Sequence, residues 1–300
     1  MPSRIAELDA AGFMPAPGEE QACFIRRAEN ILERHREFDR LLDESGRLTV
    51  FDSVEVSRDE KIDPAIIAES GDVTWRLYRF RTEHVPGFFL SRSVGLLWGG
   101  VLIGDPDECF SFFLIRNSFR TKEKWLFYRR TELFAHELCH SMRMELRETT
   151  LEEYFAYQTS PSLLRRYLGN CFIRDIDAIL FVLPTLLLLA ATLARDFFLP
   201  RLPVGVFWIL ALVYPAFLLI RNARSLRVVR RAAKKLASFG VTDVLPVLFR
   251  CTREELVRLG ALADASAFDR YRRERADVEL RWKIINERFV EKEEEQNGIS

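Results

Sequence analysis

Residues 178–194 (AILFVLPTLLLLAATLA) and 202–220 (LPVGVFWILALVYPAFLLI) contain no charged side chain. Each run is just long enough, at about 1.5 Å per helical residue, to cross a hydrocarbon core roughly 30 Å thick. A helix buried in a soluble core normally keeps one polar stripe, and neither run has one. The link between them, 195–201 (RDFFLPR), leaves room only for a tight return. The pair reads as a two-helix transmembrane hairpin occupying 176–220. Pro184 and Pro215 are compatible with it, because bilayer helices tolerate kinks where neighbouring groups satisfy the freed carbonyls.

The flanking charges orient the hairpin. Arg221, Arg224, Arg227, Arg230, Arg231, Lys234 and Lys235 follow the second run with no acid among them, and Arg165, Arg166 and Arg174 precede the first. Basic residues stay on the cytosolic side, so both long flanks are expected there and only the link outside. That describes an integral protein of an inner or plasma membrane with cytoplasmic N- and C-termini. The basic run reads as a topology signal and a grip on anionic headgroups, so the bilayer is the expected partner and nucleic acid is not. The overall balance, 44 basic against 44 acidic residues, agrees. It hides a segregation: net −6 over 1–177, +1 over 178–220 and +5 over 221–300.

An apolar content of 48% with only 14 Gly and 12 Pro excludes collagen-like and disordered chains. Five cysteines (23, 109, 139, 171, 251) without a CxxC pair read as reduced cytosolic thiols, not as a disulfide framework or a cysteine zinc knuckle. Residues 1–17 look like a loose leader. An α+β domain is expected over 18–175, with an amphipathic helix at 18–44 and strands at 48–56 and 73–82. A hairpin is expected from 98–103 and 109–116 around Gly104-Asp105-Pro106-Asp107-Glu108. The apolar stretch 88–103 is broken by Arg92 and Gly99-Gly100 and is not read as a third span. A basic helical domain is expected over 221–300, with helices at 226–239, 252–262 (capped by Thr252 and Glu255) and from 265 to about 295.

The chemistry lies at 131–140, TELFAHELCH, an HExxH motif on a segment of helical character with Thr131 available as N-cap. His136 and His140, four apart, share one helix face and can converge on one metal ion, expected to be Zn2+. Glu137 stands beside that face as general base. The metal would activate a water and polarise a scissile carbonyl, while the carboxylate carries the proton to the leaving amine. No histidine follows His140, so the third ligand is expected among the acids downstream. Glu145 and Glu148 fall at the end of the same helix. Residues 149–157 (TTLEEYFAY) look like a second helix whose first turn could face the first across the metal. Glu152 and Glu153 point about 100° apart, so only one of them can face it.

HExxH followed by a helix bearing Glu with a small residue three positions on resembles the gluzincin zinc metallopeptidases, including membrane-bound members of the CAAX prenyl protease and HtpX type. The resemblance covers 131–157. It implies a zincin-like domain and makes Glu153, with Ala156 at plus three, the matching metal ligand. Two features depart from it: the gap from His140 to Glu153 is only 13 residues, and Tyr157 stands where the family usually has an Asp supporting a ligand histidine. Thr150 and Glu153 also have capping-box spacing, a competing use for that carboxylate.

Cys139 reads as a packing residue. Tyr154, Tyr157, Arg143 and His84 are candidate oxyanion donors. The hairpin edge could hold an extended substrate, though a plain core hairpin is the preferred reading. Ser160-Pro161-Ser162 resembles a helix start with Pro at the first helical position, and 163–177 (LLRRYLGNCFIRDID) has the composition of an interfacial helix. The chain thus reads as a membrane-anchored zinc metallopeptidase acting on protein or peptide substrates, membrane-associated or cytosolic. The alternative is a metal-binding membrane scaffold or sensor that cleaves nothing.

Overall fold

Ser3 caps a short helix, Arg4–Ala10 (α1), its hydroxyl oxygen accepting from the Ala6 N–H. In the computed structural model, which describes residues 2–51, 54–90, 99–105, 110–126 and 128–291, the N-terminal segment is not the loose leader expected. Ile5, Leu8 and Phe13 are buried with Phe24, Ala28, Leu280 and Ile284. Asp9, 1% exposed, meets the fully buried Arg250 guanidinium at 2.7 Å, and Arg288 reaches the same carboxylate. The Ala, Gly and Pro content concealed this because the partner of Asp9 lies 241 residues along the chain.

Helix Gln21–Ser45 (α2) ends where Gly46 turns left-handed at φ 74°. In place of the single strand expected at 48–56, Arg47–Val50 (β1) and Val54–Ser57 (β2) pair antiparallel. Asp63 then caps helix Pro64–Tyr78 (α3), so most of the strand expected at 73–82 is helix. Its buried Ile67, Gly71, Thr74 and Tyr78 recur at helical spacing, and that period overrides the β-favouring residue types.

Gly87–Leu90 (β3), Gly100–Asp105 (β4) and Phe110–Arg116 (β5) form a sheet in the order β3-β5-β4, with β3 parallel and β4 antiparallel to β5. The expected hairpin is therefore β4 with β5; its tip, 106–109, and the stretch 91–98 lie outside the described residues. A short pair, Lys124–Trp125 (β6) and Tyr128–Arg129 (β7), leads into helix Arg130–Arg143 (α4), followed by Glu152–Tyr157 (α5) and Leu163–Leu168 (α6).

Asp175–Phe197 (α7) and Gly205–Ser238 (α8) are long and apolar enough to cross a membrane. Only 11% of the apolar window of each is buried in the fold, whereas a soluble core helix would be mostly covered. The helix expected at 226–239 is the uninterrupted extension of α8. Val244–Phe249 (α9) precedes Arg253–Ala261 (α10), which starts at the expected Thr252 and Glu255 capping box. The helix expected from 265 to 295 is broken at Glu279 into Ala265–Val278 (α11) and Leu280–Ile285 (α12), with a π-helical turn after it. These helices are not a separate domain. Val229, Leu236, Val247, Phe249 and Trp282 share one core with Tyr78, Phe134 and Phe155, because Tyr78 of α3 and Phe155 of α5 pack their rings on Phe249 of α9.

Candidate metal centre

Helix α4 begins at Arg130 with Arg129 as a cap that makes no side-chain bond, so Thr131 does not cap it. Leu133, Phe134, Leu138 and Met142 bury one side of the helix in the core. His136 and His140 converge beside that surface, their Nε2 atoms 3.1 Å apart. From α5, Glu153 brings one carboxylate oxygen to 3.6 Å from His136 Nε2 and the other to 3.5 Å from His140 Nε2. Among the described residues these three form a group that could hold a metal ion, with ligand atoms within 4.8 Å of one another. A tetrahedral ion with bonds of about 2.0–2.1 Å has ligand-to-ligand edges of about 3.3 Å, so the set fits a zinc-sized cation. Its chemistry fits as well: with both Nε2 atoms deprotonated, the two imidazoles and the carboxylate would direct lone pairs to one point, the donor set that a divalent cation takes.

The Thr150 to Glu153 capping box does not form. Leu151 is the cap of α5 and makes no side-chain bond, which leaves the Glu153 carboxylate to the imidazoles. Glu152 faces the other way: one oxygen lies 3.6 Å from His140 Nδ1 and the other accepts from Arg143 Nε at 2.9 Å. It thus supplies the acidic support that the sequence lacks at Tyr157. Arg143 is fully buried, donates to the Phe249 carbonyl oxygen, and lies over the Phe155 and Phe249 rings at 4.6 and 5.3 Å. It is therefore no oxyanion donor; it ties α4 and α5 to α9. Glu145 pairs with Arg27 at 3.1 Å, away from the imidazoles.

Glu137 is buried, and its carboxylate accepts from the Leu102 N–H at 3.0 Å. Leu102 belongs to β4, the edge strand. The Arg116 N–H donates to Gly99 O, so the alternate residues Gly100, Leu102 and Gly104 turn their backbone groups to the open edge beside α4. At Gly100 a Cβ would stand 3.3 Å from Leu133 of α4 and closer still to Ile115, so the strand lies this near only as glycine.

Burial, with His140 beside it, holds the His136 imidazole well below its ordinary pKa. Burial also acts downward on His140, but Glu152, Glu153 and Glu137 outweigh it and raise that group. Glu137 and Glu153 are both raised by burial against the opposing pull of His140. Cys139 is buried with its thiol pushed up by desolvation, as a packing residue would be. His84 stacks on Phe13 at 4.3 Å and edges His35, and Tyr154 packs against the core beside Phe155.

Of the candidate oxyanion donors, Tyr157 alone lines the cleft of about 280 Å³ that holds His136, Glu137 and Glu153. Its ring stands edge-on to His136 at 4.7 Å, and burial raises its hydroxyl to about 12, so it remains a proton donor. Arg165 and Glu132, paired at 2.6 Å, form the wall beside it, with Arg165 over the Tyr128 ring at 4.7 Å. The position of Glu132 one turn before His136 is the sequence signal for that wall; Arg165, in the flank of the first span, carries none. Comparison with protein-family models, with curated proteins and with solved structures finds no match for this chain.

Proposed function

We propose that the chain is a membrane-anchored, cytosol-facing zinc metallopeptidase of gluzincin-like design. One observation carries the reading: a buried Glu137 carboxylate is held beside the convergent His136, His140 and Glu153, next to an open strand edge. A bound Zn2+ would supply Lewis acidity toward a water and a scissile carbonyl. The chain's own groups do the rest. The Leu102 N–H fixes Glu137, whose burial-raised pKa suits it to take a proton and pass it to the leaving amine. The Tyr157 hydroxyl donates toward developing negative charge, and the outward backbone groups of β4 other than the Leu102 N–H align an extended peptide. The hairpin α7–α8 anchors this domain to the bilayer, and Arg221, Arg224 and Arg227 at its exit favour cytosolic placement of both flanks.

The test is Glu137→Gln, which is nearly isosteric but cannot take the proton. It should keep the metal and the fold while lowering hydrolysis of co-expressed membrane proteins, or self-cleavage, about 10²–10⁴-fold. Wild-type behaviour of this variant, with His136→Ala inactive, would favour a metal-binding scaffold or sensor.

A further inference from the structure

Outside α7, α8 and the link that joins them, the exposed large apolar side chains of the described residues occur singly, with one exception. In α6 and the turn after it, Leu163, Leu164, Tyr167, Leu168 and Phe172 are all exposed, Leu163 by 75%. On a helix the first four cover an arc of about 140°. Arg165 and Arg166 occupy the opposite side, where Arg165 faces Glu132 in the cleft. Ser162, not Pro161, begins this helix as its cap, its hydroxyl accepting from the Arg165 N–H.

The height of α6 relative to the long helices is fixed by hydrogen bonds. Ile220 is the last residue of the apolar run in α8. The next two side chains, Arg221 and Asn222, donate to Cys171 O at 2.7 Å and to Tyr167 O at 2.6 Å. Arg221 also holds Asp177 in the first turn of α7 at 2.6 Å. Both spans and α6 therefore meet at one level, and exposed Phe172 and Ile176 carry the apolar surface from α6 into α7.

The other side of α6 is the cleft. Leu168, Gly169 and Phe172 line a recess of about 390 Å³ that shares Glu153, Tyr157 and Arg165 with the metal centre. Gly169 lies so close under Tyr157 that a Cβ there would overlap the ring.

We propose that α6 and the turn 169–172 lie in the headgroup layer of the cytosolic leaflet and form the membrane-side wall of the cleft. Continuity with the spans and the shared level specify a lipid surface as the occupant, with the exposed Arg174 at the start of α7 on that same level. The cleft then opens at the bilayer surface. On the peptidase reading, on which this last step rests, its substrate is the polypeptide segment just outside a membrane span.

The experiment uses the full chain in phosphatidylcholine–phosphatidylglycerol vesicles with the photo-crosslinker benzoylphenylalanine at 164, at 187 within the first span, or at 257 on the exposed face of α10. Position 164 should give phospholipid adducts at a yield close to that at 187 and at least ten-fold above that at 257. A yield no higher than at 257, or adducts only to polypeptide, would overturn the proposal. In a second arm, single-span substrates carry the cleavable segment about 5 to about 20 residues from the bilayer. Cleavage should fall at least ten-fold over that series; equal cleavage throughout would refute the juxtamembrane preference. Lipid adducts at 164 with no cleavage of any substrate would leave the membrane wall standing and count against the peptidase reading alone.

Discussion

Two charge clusters in this fold, one around Asp9 and one around His136 and His140, are built in opposite ways. Around Asp9, one carboxylate receives Arg250 through Nε and Nη2 and also Arg288, while Arg250 Nη1 donates to the Tyr78 and Pro246 carbonyls at 2.9 Å. Donors and acceptors there are matched, and the cluster joins α1 to the C-terminal helices. Around His136 and His140, a carboxylate and two imidazole nitrogens converge with no cationic side chain among them. The cation nearest in sequence, Arg143, is turned away by Glu152 and the Phe249 carbonyl. The Asp9 and Arg250 pair is almost fully buried, whereas His136, His140 and Glu153 keep 15%, 23% and 29% of their side-chain surface, so depth of burial does not single out the second cluster; its convergent donor set does.

The sharpest way to break this comparison is to remove an acid from each cluster. Asp9→Ala leaves two buried guanidiniums without their counter-charge and should destabilise the fold by about 3–5 kcal/mol, read as a lower urea midpoint, with metal content per folded chain unchanged. Loss of metal at full folding would show that the clusters are coupled. Glu152→Ala should instead cost metal affinity, about 10- to 100-fold (about 1.4–2.7 kcal/mol), because it frees the His140 ring that Glu152 orients. Competition with a chromophoric chelator measures this, and Glu152→Gln should recover part of the loss. Unchanged affinity in both would reduce Glu152 to a partner of Arg143.

A smaller effect comes from His84, which neither cluster uses. Burial, then the nearby His35, lowers its pKa to about 3. Below its ordinary value of about 6.5 the unfolded chain binds a proton that the folded chain refuses, so stability falls with pH until the folded group titrates. Between pH 7 and pH 5.5 the loss from this group should be about 1 kcal/mol, and His84→Leu should remove it from the pH dependence of the urea midpoint. An identical slope in both proteins would mean that His84 takes its proton in the folded state.

Much of the metal helix was legible because its signal is local: two histidines four apart need only helical geometry to converge. The two long apolar helices and the Thr252 to Glu255 capping box were legible for the same reason. The choice between Glu152 and Glu153 was not, since it turns on how α5 is rotated against α4, and a capping box competed for the same carboxylate. Helix α3 was misread because Val73, Thr74 and Trp75 were weighed by residue type, although the Asp63-Pro64 start and the spacing of Ile67, Gly71, Thr74 and Tyr78 were in view. The Asp9 cluster and the bond from Arg143 to the Phe249 carbonyl join residues 241 and 106 positions apart, and no local pattern announces such pairs.

The central claim is that His136, His140 and Glu153 together hold a metal. Elemental analysis of full-length protein, purified without chelators alongside His136→Ala, tests it directly. The account predicts about one zinc per wild-type chain and none in the folded variant; wild-type protein with no stoichiometric metal, or a variant that retains it, would contradict the account.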